Sequence, residues 1–507
     1  MENCLVKMTS LYETYKSSPA TIEKLEYYIN TQLPGLLHKF NEQEKKKLFL
    51  EKESNKYITN FLTNPERQFF YIAPTDIFIK YDGENYTFVD EDNIWIIILN
   101  DITENEILIE WKQKIKDTLI EKIKKQSLFN TIPESSTVQY VINFFTPTLF
   151  SNKEDVKHFM ALIGDNILGK KIDLNYFVPI ESKLFFDTFE SMCQYNFKSK
   201  LGITSTIRYR YRGEAYDKSR LLYFTKSIQN KSCWLSFLKD NLYNLLVVCC
   251  YYSTRYINAD NYVNKRNDIF KKKIFYLKNN TKQDLINQFK QKMIIQEPNG
   301  HIHTKDMFFL WKIYLKQQNL PNMIYKAEFE NIIKDNMMNN NNLFLNIKSN
   351  YLNNTKIVQK FWNQTISKDA EEELEISELH ALIVKWASDQ NINCTDFDEN
   401  KLQDIIKHFY DDIQIENDKF LIGIKCNLWN KQNDILDAFQ NKFNKNIDRD
   451  ITIYDSYVLF CKYINNKGKL LTVSKKYYFK YISKVIPEQY IKDCCILLAY
   501  WELPVMV

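Results

Sequence analysis

Three segments in the C-terminal part of the chain repeat one pattern of apolar residues, and this repeat constrains the fold more than any other feature. The matching residues are Tyr314, Trp386 and Tyr463 in a first helix, Phe329, Leu402 and Phe479 in a second, and then Ile332, Ile405 and Ile482. Corresponding residues are 72 to 77 positions apart. A period of this length indicates tandem copies of one supersecondary unit.

Each repeated segment predicts a helix, a short linker and a second helix, because its apolar residues recur at helical spacing. In the first segment the stretch NLFLNIK is compatible with a strand after the second helix. Two helices followed by a strand are typical of a winged helix, although an all-helical unit fits the first half of the pattern equally well. We predict winged-helix-like units over 299–368, 369–446 and 447–507.

The composition favours helices and several domains. Of the 507 residues, 45% are hydrophobic and 15% are aromatic, which is enough to bury more than one core. Only 9 glycines and 11 prolines are present, so few tight turns are expected. The net charge is only +5, so a contact with nucleic acid requires local patches of charge. We predict a helix-rich α+β fold.

The cysteines, histidines and apolar runs predict neither a cofactor nor a membrane span. The ten cysteines form no CxxC motif, and the pairs Cys249–Cys250 and Cys494–Cys495 lie in apolar runs typical of buried thiols. The HIH stretch at 301–303 would bind a metal only if acids converged on it, and a loop is the commoner explanation. The longest apolar run, NLLVVCCYY, is too short to cross a bilayer, and the first residues lack the layout of a signal peptide. We expect no metal, no cofactor, no membrane partner and a reducing intracellular compartment.

The N-terminal region, 1–145, predicts helices and one β-hairpin. Residues 1–65 carry Leu and Tyr at helical spacing. Apolar residues then alternate on both sides of Asp82-Gly83, which indicates two strands and a turn. The stretch WKQKIKDTLIEKIKKQ predicts an amphipathic helix whose lysines form a solvated face.

The middle region, 146–298, predicts strands separated by helices. The stretch LNYFVPIESKLFFDTF reads as a strand, a loop and a segment compatible with a helix. TIRYRYRGEAY alternates strictly and predicts a second strand, and the apolar run NLLVVCCYY predicts a third.

Several of these stretches resemble the primase–helicases of large DNA viruses, phages and plasmids, which belong to helicase superfamily 3. The hairpin TDIFIKYDGENYTFVDEDNIW and the following helix resemble the domain that precedes the ATPase in that family. FFLWKIYLKQQNLPNMIYKAEFENII resembles its winged helix, and YYSTRYINADNYV is similar to a segment of giant-virus relatives. The resemblance implies a pre-ATPase domain, an ATPase-like middle region and winged-helix units.

In that family the ATPase would start near residue 174, so its phosphate-binding loop would lie in this strand–loop–helix stretch. A working loop reads GxxxxGK[ST], in which backbone N–H groups and the lysine hold the phosphates and the hydroxyl binds Mg²⁺. Lys183 can occupy the lysine position, but Ser182 stands where glycine is required and Leu184 stands where the hydroxyl is required. Pro179 removes one N–H donor. We predict a degenerate nucleotide site at Ser182 and Lys183 or a coincidental match, and in either case a chain that is not an enzyme.

The candidate nucleic-acid-binding residues are cations interleaved with aromatic residues. In the predicted strand Arg208, Arg210 and Arg212 share one face and the tyrosines share the other, so the arginines can meet phosphates or stack on bases. The further candidates are Arg255 in STRY and Lys467, Lys469, Lys475 and Lys476 in the third unit. The alternative is that the arginines pair with internal acids such as Glu214 and that the lysines form a solvated face.

These observations predict a non-catalytic nucleic-acid-binding protein of a large DNA virus, derived from a primase–helicase. It would act in replication, transcription or genome packing, in the host cytoplasm at viral factories or inside the virion. Its partners would be DNA or RNA, with viral or host proteins as further partners. The alternative is a protein–protein adaptor or virion structural protein that does not bind nucleic acid.

Overall fold

The computed structural model describes residues 2–104, 106–171, 173–340, 342–393, 397–441, 447–469 and 471–503. It divides into two compact units. The first comprises Met1–Thr281 with Asn319–Met323, and the second comprises Lys282–Gln318 with Ile324–Val507. The fold is α+β and rich in helices, as the composition predicts.

The chain begins with helices, as predicted. These are α1 (Glu2–Thr14), α2 (Pro19–Tyr27) and α3 (Leu33–Thr63), and a single π-helical turn connects α2 to α3. Pro34 explains this turn, because its ring has no N–H and displaces the carbonyl four residues earlier, which widens the helix there. Helices α1 and α2 bury no residue, whereas α3 buries Leu50, Ser54, Ile58 and Phe61.

A three-stranded antiparallel sheet follows, and it contains the predicted hairpin. Its strands are β1 (Gln68–Ile72), β2 (Ile77–Tyr81) and β3 (Tyr86–Val89), in the order β1-β2-β3. The Asp82 carboxylate accepts the N–H groups of Glu84 and Asn85 at 2.9 and 2.8 Å, and Gly83 has a φ of +98°. Only glycine adopts that φ readily, so Asp82-Gly83 forms the turn.

Two helices complete this part of the first unit. They are α4 (Glu91–Glu104) and α5 (Lys112–Lys124). The predicted amphipathic helix is confirmed as α5, whose buried residues are Ile115, Leu119, Ile120 and Ile123. They pack with Ile58 and Phe61 of α3 in one core.

The middle of the chain surrounds a small parallel sheet. Its elements are α6 (Ser135–Thr148), α7 (Lys153–Ile167), β4 (Asn175–Phe177), α8 (Lys183–Phe197), β5 (Ile207–Arg208), β6 (Ser219–Leu221), α9 (Leu235–Asp240), α10 (Leu242–Tyr256), α11 (Ala259–Asn264) and α12 (Asp268–Ile274). The strand order is β5-β4-β6, with β4 parallel to both neighbours. The predicted strand–loop–helix is therefore present as β4, one 3-10 turn and α8.

Two predicted strands of this region are wrong. NLLVVCCYY lies within α10. This helix has buried residues on most of its sides, and it packs against α7. A short apolar run does not distinguish a buried strand from a buried helix, which explains the error. Of the TIRYRYRGEAY stretch only Ile207 and Arg208 form a strand, β5, because the chain turns away from β4 after Arg208. Cys494 is also exposed, unlike the buried Cys249 and Cys250.

The second unit repeats one order of elements three times: a helix, a strand, two helices and two strands. The first copy is α13 (Lys282–Met293), β7 (Ile295–His303), α14 (Thr304–Gln318), α15 (Lys326–Asn336), β8 (Asn339–Asn340) and β9 (Leu343–Lys348). The second copy is α16 (Asn353–Thr365), β10 (Ile366–Glu375), α17 (Ile376–Asp389), α18 (Glu399–Phe409), β11 (Ile415–Glu416) and β12 (Phe420–Cys426). The third copy is α19 (Lys431–Gln440), β13 (Ile451–Thr452), α20 (Ile453–Asn466), α21 (Lys475–Val485), β14 (Ile491–Lys492) and β15 (Cys495–Ile496), followed by α22 (Leu498–Glu502).

All three copies have the same sheet topology. In each sheet the last strand lies between the first and the second, and both pairings are antiparallel. Tyr314, Trp386 and Tyr463 are buried on equivalent helices. Each copy begins with one more helix than predicted, α13, α16 or α19, which lies before the predicted start of its unit at 299, 369 or 447. The two histidines of HIH lie at the end of β7 rather than in a loop.

A buried ion pair connects the second and third copies. The Lys431 ammonium group is 2.5 Å from the Glu378 carboxylate, and both side chains are buried. The other oxygen of Glu378 accepts the N–H of Ser474 at 2.7 Å, at the start of α21. Because a buried charge without its partner is costly, these contacts fix α17, α19 and α21 against one another.

Candidate nucleic-acid interface

Arg255 lies in the last turn of α10 and is exposed. Its guanidinium group donates a hydrogen bond of 2.9 Å to the Tyr251 hydroxyl. It also lies over the rings of Tyr251 and Tyr256, at 5.7 and 5.6 Å from their centroids. These contacts orient the guanidinium group while one side of it stays accessible to solvent.

Two further cations surround the same tyrosine. The ammonium group of Lys265 is 5.6 Å from the centroid of Tyr256, and the guanidinium carbon of Arg266 is 5.8 Å from it. Arg266 also donates to the Tyr256 hydroxyl at 3.3 Å. We call Tyr251, Arg255, Tyr256, Lys265 and Arg266 the Tyr256 cluster.

Among the described residues, the cations of the Tyr256 cluster have no acidic partner. None of the ion pairs formed among the described residues includes Arg255, Lys265 or Arg266. The Nε atom of Arg266 is buried and has no hydrogen-bond partner there. Three like charges around one ring repel each other, so an anion bound at this place would be stabilised by all three.

The corner between α10 and α11 is fixed by polar contacts. Lys170 donates to the carbonyl oxygens of Ser253 and Ile257 at 3.1 and 2.6 Å, which satisfies the C-terminus of α10. Buried Asp165 accepts the Ser253 hydroxyl at 2.6 Å and the Ala259 N–H at 2.7 Å. The cluster is therefore presented by a preorganised turn.

Ile257 occupies an unusual position in this turn. It has a φ of +72° and is 68% exposed. A β-branched side chain at positive φ is strained, and an exposed apolar side chain gains nothing from packing. Strained residues of this kind concentrate at binding sites, and this one lies two residues from Arg255.

The three arginines of the RYRYR stretch do not form one face. Arg208 donates to the carbonyl oxygens of Ser205 and Ile207 at 2.9 and 2.8 Å, and its Nε is 3.9 Å from Glu214. Arg210 and Arg212 are exposed, and no ion pair within the described part of the chain includes either side chain. The predicted pairing with Glu214 thus applies to Arg208, while Arg210 and Arg212 remain available.

The candidate lysines of the third copy mostly pair with acids. Lys467 is 2.8 Å from Asp437, whose carboxylate raises the pKa of that lysine, and Lys469 is 2.6 Å from Asp434. Lys475 instead lies over the rings of Tyr454 and Phe479, at 4.4 and 5.3 Å.

Lys476 and its neighbours on α21 face the acidic strand β10. Lys476 contacts Glu416 and lies 3.3 Å from Glu373, and Lys484 is 2.5 Å from Glu371. The lysines of α21 are thus largely neutralised within the second unit. We call this contact the α21–β10 interface.

The geometry around Lys183 differs from a phosphate-binding loop. The N–H groups of Ser182 and Lys183 donate to the carbonyl oxygens of Pro179 and Ile180, so they close a 3-10 turn instead of pointing at a common centre. The buried Ser182 hydroxyl also donates to Pro179, at 2.7 Å. Lys183 is half-exposed and forms an ion pair with Asp187 in the next turn of α8.

The sequence singled out Arg255 but missed Lys265 and Arg266, which come together with it only because α11 folds back at Ile257. In the sequence, the adjacent basic residues Lys265 and Arg266 shortly after the segment YYSTRYINADNYV could have indicated that they belong to this site.

Among the described residues no group of three His, Cys, Asp or Glu side chains is close enough to hold a metal ion. None of the described helices has both the length and the hydropathy of a membrane span.

No protein-family model, no curated protein and no solved structure matches the chain.

Proposed function

We propose that this chain is a non-catalytic nucleic-acid-binding protein whose Tyr256 cluster binds a phosphate backbone beside a base. The observation that carries the proposal is the arrangement of Arg255, Lys265 and Arg266 around one tyrosine ring, without acidic partners among the described residues. Guanidinium and ammonium groups bind phosphate, and the aromatic ring offers a surface on which a base can stack. Stacking does not depend on base identity, so the expected binding is not sequence-specific.

The repeated order of elements in the second unit supports the winged-helix interpretation of the three copies. In a helix–turn–helix unit the second helix of the pair contacts nucleic acid. Those helices are α15, α18 and α21, and α21 has four lysines and no acidic residue. Since Lys476, Lys480 and Lys484 all contact β10 in the α21–β10 interface, the Tyr256 cluster is the first contact that we propose.

The geometry at Lys183 supports a protein without nucleotide chemistry. A phosphate group needs several convergent N–H donors, whereas those of the turn before α8 are used within the turn. This fits the hypothesis of a primase–helicase descendant that has lost its ATPase activity. A large DNA virus as the source, and viral factories in the host cytoplasm or the virion interior as the location, belong to the same proposal.

A specific observation favours a second function, that of an adaptor. Helices α1 and α2 and the first half of α3 expose many large apolar side chains and bury none. Exposed apolar surface of this extent commonly binds protein. This alternative is an adaptor that does not bind nucleic acid, so measurements of nucleic-acid binding distinguish the two functions.

The test is a salt titration of binding to single- and double-stranded DNA and RNA. The parent is compared with the variant Arg255→Gln/Lys265→Gln/Arg266→Gln. The logarithm of the affinity falls linearly with the logarithm of the salt concentration, and each phosphate contact contributes roughly 0.7 to 0.9 to the slope. We expect the variant to lose about that amount for every one of its three cations that contacts phosphate.

A matched control is the variant Lys112→Gln/Lys114→Gln/Lys122→Gln on α5, which removes the same charge from a face predicted to be solvated. This control variant should show the same dependence of the logarithm of affinity on the logarithm of salt concentration as the parent. A folded Tyr256-cluster variant with an unchanged slope would contradict the proposed site. No binding to any of the four nucleic acids at low salt would contradict the function itself and favour the adaptor.

A further inference from the structure

A small cleft lies between the first and second copies of the repeated order, where α14 faces α18. Its volume is about 150 Å³. Because a water molecule occupies about 30 Å³ in the liquid, the cleft has room for a group of several heavy atoms. Phe309 and Ile313 of α14 are its apolar part, and charged and polar side chains of both helices line the rest. We call this space the α14–α18 cleft.

His408 holds Lys312 in the cleft. The Lys312 ammonium group is 3.0 Å from Nδ1 of His408, and Nε2 of His408 is 2.9 Å from the carbonyl oxygen of Lys305. A carbonyl oxygen only accepts hydrogen bonds, so Nε2 carries the proton and Nδ1 accepts from Lys312. The imidazole is therefore neutral, and burial accordingly lowers the pKa of His408 to about 4. His408 thus orients Lys312 without cancelling its charge.

The α14–α18 cleft contains more positive than negative charge. Lys312, Lys316 and Lys407 line it together with the carboxylate of Asp404. Asp404 is 2.6 Å from Lys316, and Asp418, outside the lining, is 2.7 Å from Lys407. Among the described residues no carboxylate lies within ion-pair distance of Lys312. The charge of Lys312 is therefore uncompensated there.

A fourth lysine adds to this charge. Lys312 and Lys326 lie over the same ring, that of Phe308, at 5.4 and 5.6 Å from its centroid. Burial and the charge of Lys326 both lower the pKa of Lys312. Repulsion between like charges is relieved when an anion binds beside them. The cleft is thus electrostatically complementary to an anion.

We propose that the α14–α18 cleft binds a phosphate group, with Lys312 as its principal contact. An ammonium group has three N–H donors, and Lys312, Lys316 and Lys407 each use one of them in the contacts above. A phosphate monoester carries a charge of about −1.5 to −2 near neutral pH and three acceptor oxygens, which suits several lysines better than a carboxylate does. Lysine binds phosphate as a point charge, so these side chains need no bidentate geometry. A free phosphate and a nucleic-acid backbone share this chemistry, and the experiment separates the two sources.

Two substitutions should change the affinity for phosphate in opposite directions. Lys312→Gln removes the uncompensated charge and should weaken binding by about tenfold. Asp404→Asn removes the competing carboxylate, frees Lys316 and should tighten binding. If these residues only fixed α14 against α18, both substitutions would lower stability without this opposite effect on affinity.

Lys475→Gln is the matched control. Lys475 also lies over two aromatic rings, and no ion pair within the described part of the chain includes it. It belongs to α21 in the third copy and is not part of the cleft. Its loss removes the same charge and should leave the affinity for phosphate unchanged.

The experiment is calorimetric titration of the full chain and its variants with inorganic phosphate. Chloride keeps the ionic strength constant, so that general screening does not differ between samples. We expect Asp404→Asn to bind most tightly, the parent and Lys475→Gln equally, and Lys312→Gln most weakly. Circular dichroism establishes that each variant is folded, and Asp404→Asn tests the site even if Lys312→Gln is not.

A second arm measures the salt dependence of binding to double-stranded DNA for the parent and Lys312→Gln. A slope that is flatter by roughly 0.7 to 0.9 in the variant assigns the phosphate to a nucleic-acid backbone, whereas phosphate binding with an unchanged slope assigns it to a free phosphate. Absence of phosphate binding together with an unchanged slope would overturn the proposal. Equal effects of Lys312→Gln and Lys475→Gln, or no tightening by Asp404→Asn, would also overturn it. The first arm contains no nucleic acid, so its result does not depend on the proposed function of the Tyr256 cluster.

Discussion

The ammonium group of Lys476 on α21 lies 3.3 Å from the carboxylate of Glu373 on β10, and it also contacts Glu416. Lys480 donates to the Glu371 carbonyl oxygen at 2.9 Å, on the same strand. The most lysine-rich of the three equivalent helices therefore faces the most acidic strand of the second unit. An acidic strand in this place competes with a phosphate backbone for the same lysines.

Removing the acids should release α21 for nucleic-acid binding. In Glu371→Gln/Glu416→Gln, Lys484 and Lys476 lose partners, and the salt slope of binding should become steeper by roughly 0.7 to 0.9 for each lysine that then meets a phosphate. Because the pairs involve exposed side chains, which solvent screens, stability should change little. Salt titration and urea unfolding measure the two effects.

The control for this change is Asp369→Asn/Asp412→Asn. These acids pair with Lys425 and Lys368 in the second copy, so the net charge changes equally without release of α21. An equal increase in slope for the control would mean that overall charge, and not the α21–β10 interface, governs binding.

The arginines of the RYRYR stretch should separate into two classes. Arg208→Gln removes hydrogen bonds to two carbonyl oxygens and is expected to cost about 1 kcal/mol of unfolding free energy. Arg210→Gln and Arg212→Gln should change stability by less than about 0.5 kcal/mol, because their side chains are exposed. If these two arginines bind phosphate, each substitution also flattens the salt slope by roughly 0.7 to 0.9. Equal stability losses for all three would contradict the separation.

Lys183→Ala should leave the molecule unchanged apart from one surface ion pair. Its pairing with Asp187 one turn along α8 is worth about 0.3 to 0.5 kcal/mol. We expect no ATP hydrolysis by the parent above background and unchanged nucleic-acid binding by the variant. Steady-state turnover that Lys183→Ala abolishes would restore a working nucleotide site.

Gly164 is required where α7 crosses α10. A Cβ at this position would lie 2.1 Å from the carbonyl oxygen of Cys249, so Gly164→Ala has to separate two buried helices. We expect a loss of at least about 2 kcal/mol in urea unfolding. The control is Gly35→Ala in α3, where a Cβ meets no atom within 4 Å. Gly35→Ala should leave the urea midpoint of unfolding unchanged or raise it, since alanine favours the helix by about 0.5 to 1 kcal/mol relative to glycine.

His158 should make stability depend on pH below neutrality. It is fully buried, its ring nitrogens have no hydrogen-bond partner among the described residues, and burial lowers its pKa to about 4. The unfolded chain binds a proton at a pKa of about 6.5, so the unfolded state gains protons first as the pH falls. The stabilisation that comes from keeping His158 neutral is therefore fully present above pH ~6.5. As the pH falls towards ~4, the free energy of unfolding decreases by roughly 3 kcal/mol.

His158→Phe tests this assignment, because the rings of Tyr176, Tyr262 and Phe270 lie within 6.5 Å and favour an aromatic replacement. The stability difference between parent and variant should shift in favour of the variant as the pH falls from 6.5 to 4. The lowered pKa of His408 contributes in both proteins and cancels in the difference. A pH-independent difference would contradict the prediction.

Local patterns predicted several elements without any tertiary information. The helical spacing in residues 1–65 and in α5 was sufficient, and Asp82-Gly83 located the hairpin, because these signals depend on contacts between residues close in the chain. The repeat of Tyr314, Trp386 and Tyr463 also located equivalent buried helices, since each copy must bury the same face.

Tertiary structure decided what the local patterns left open. The apolar run in α10 became a helix because α6, α7 and α11 pack around it, which no period of the sequence expresses. Lys265 and Arg266 joined Arg255 because α11 reverses direction at Ile257, and Lys476 met Glu373 because β10 lies beside α21. The sequence alone indicated the N-terminal helices, α5, the hairpin turn and the three similar units. Only the fold decided which charges meet, because electrostatic partners are set by distance in space rather than by position along the chain.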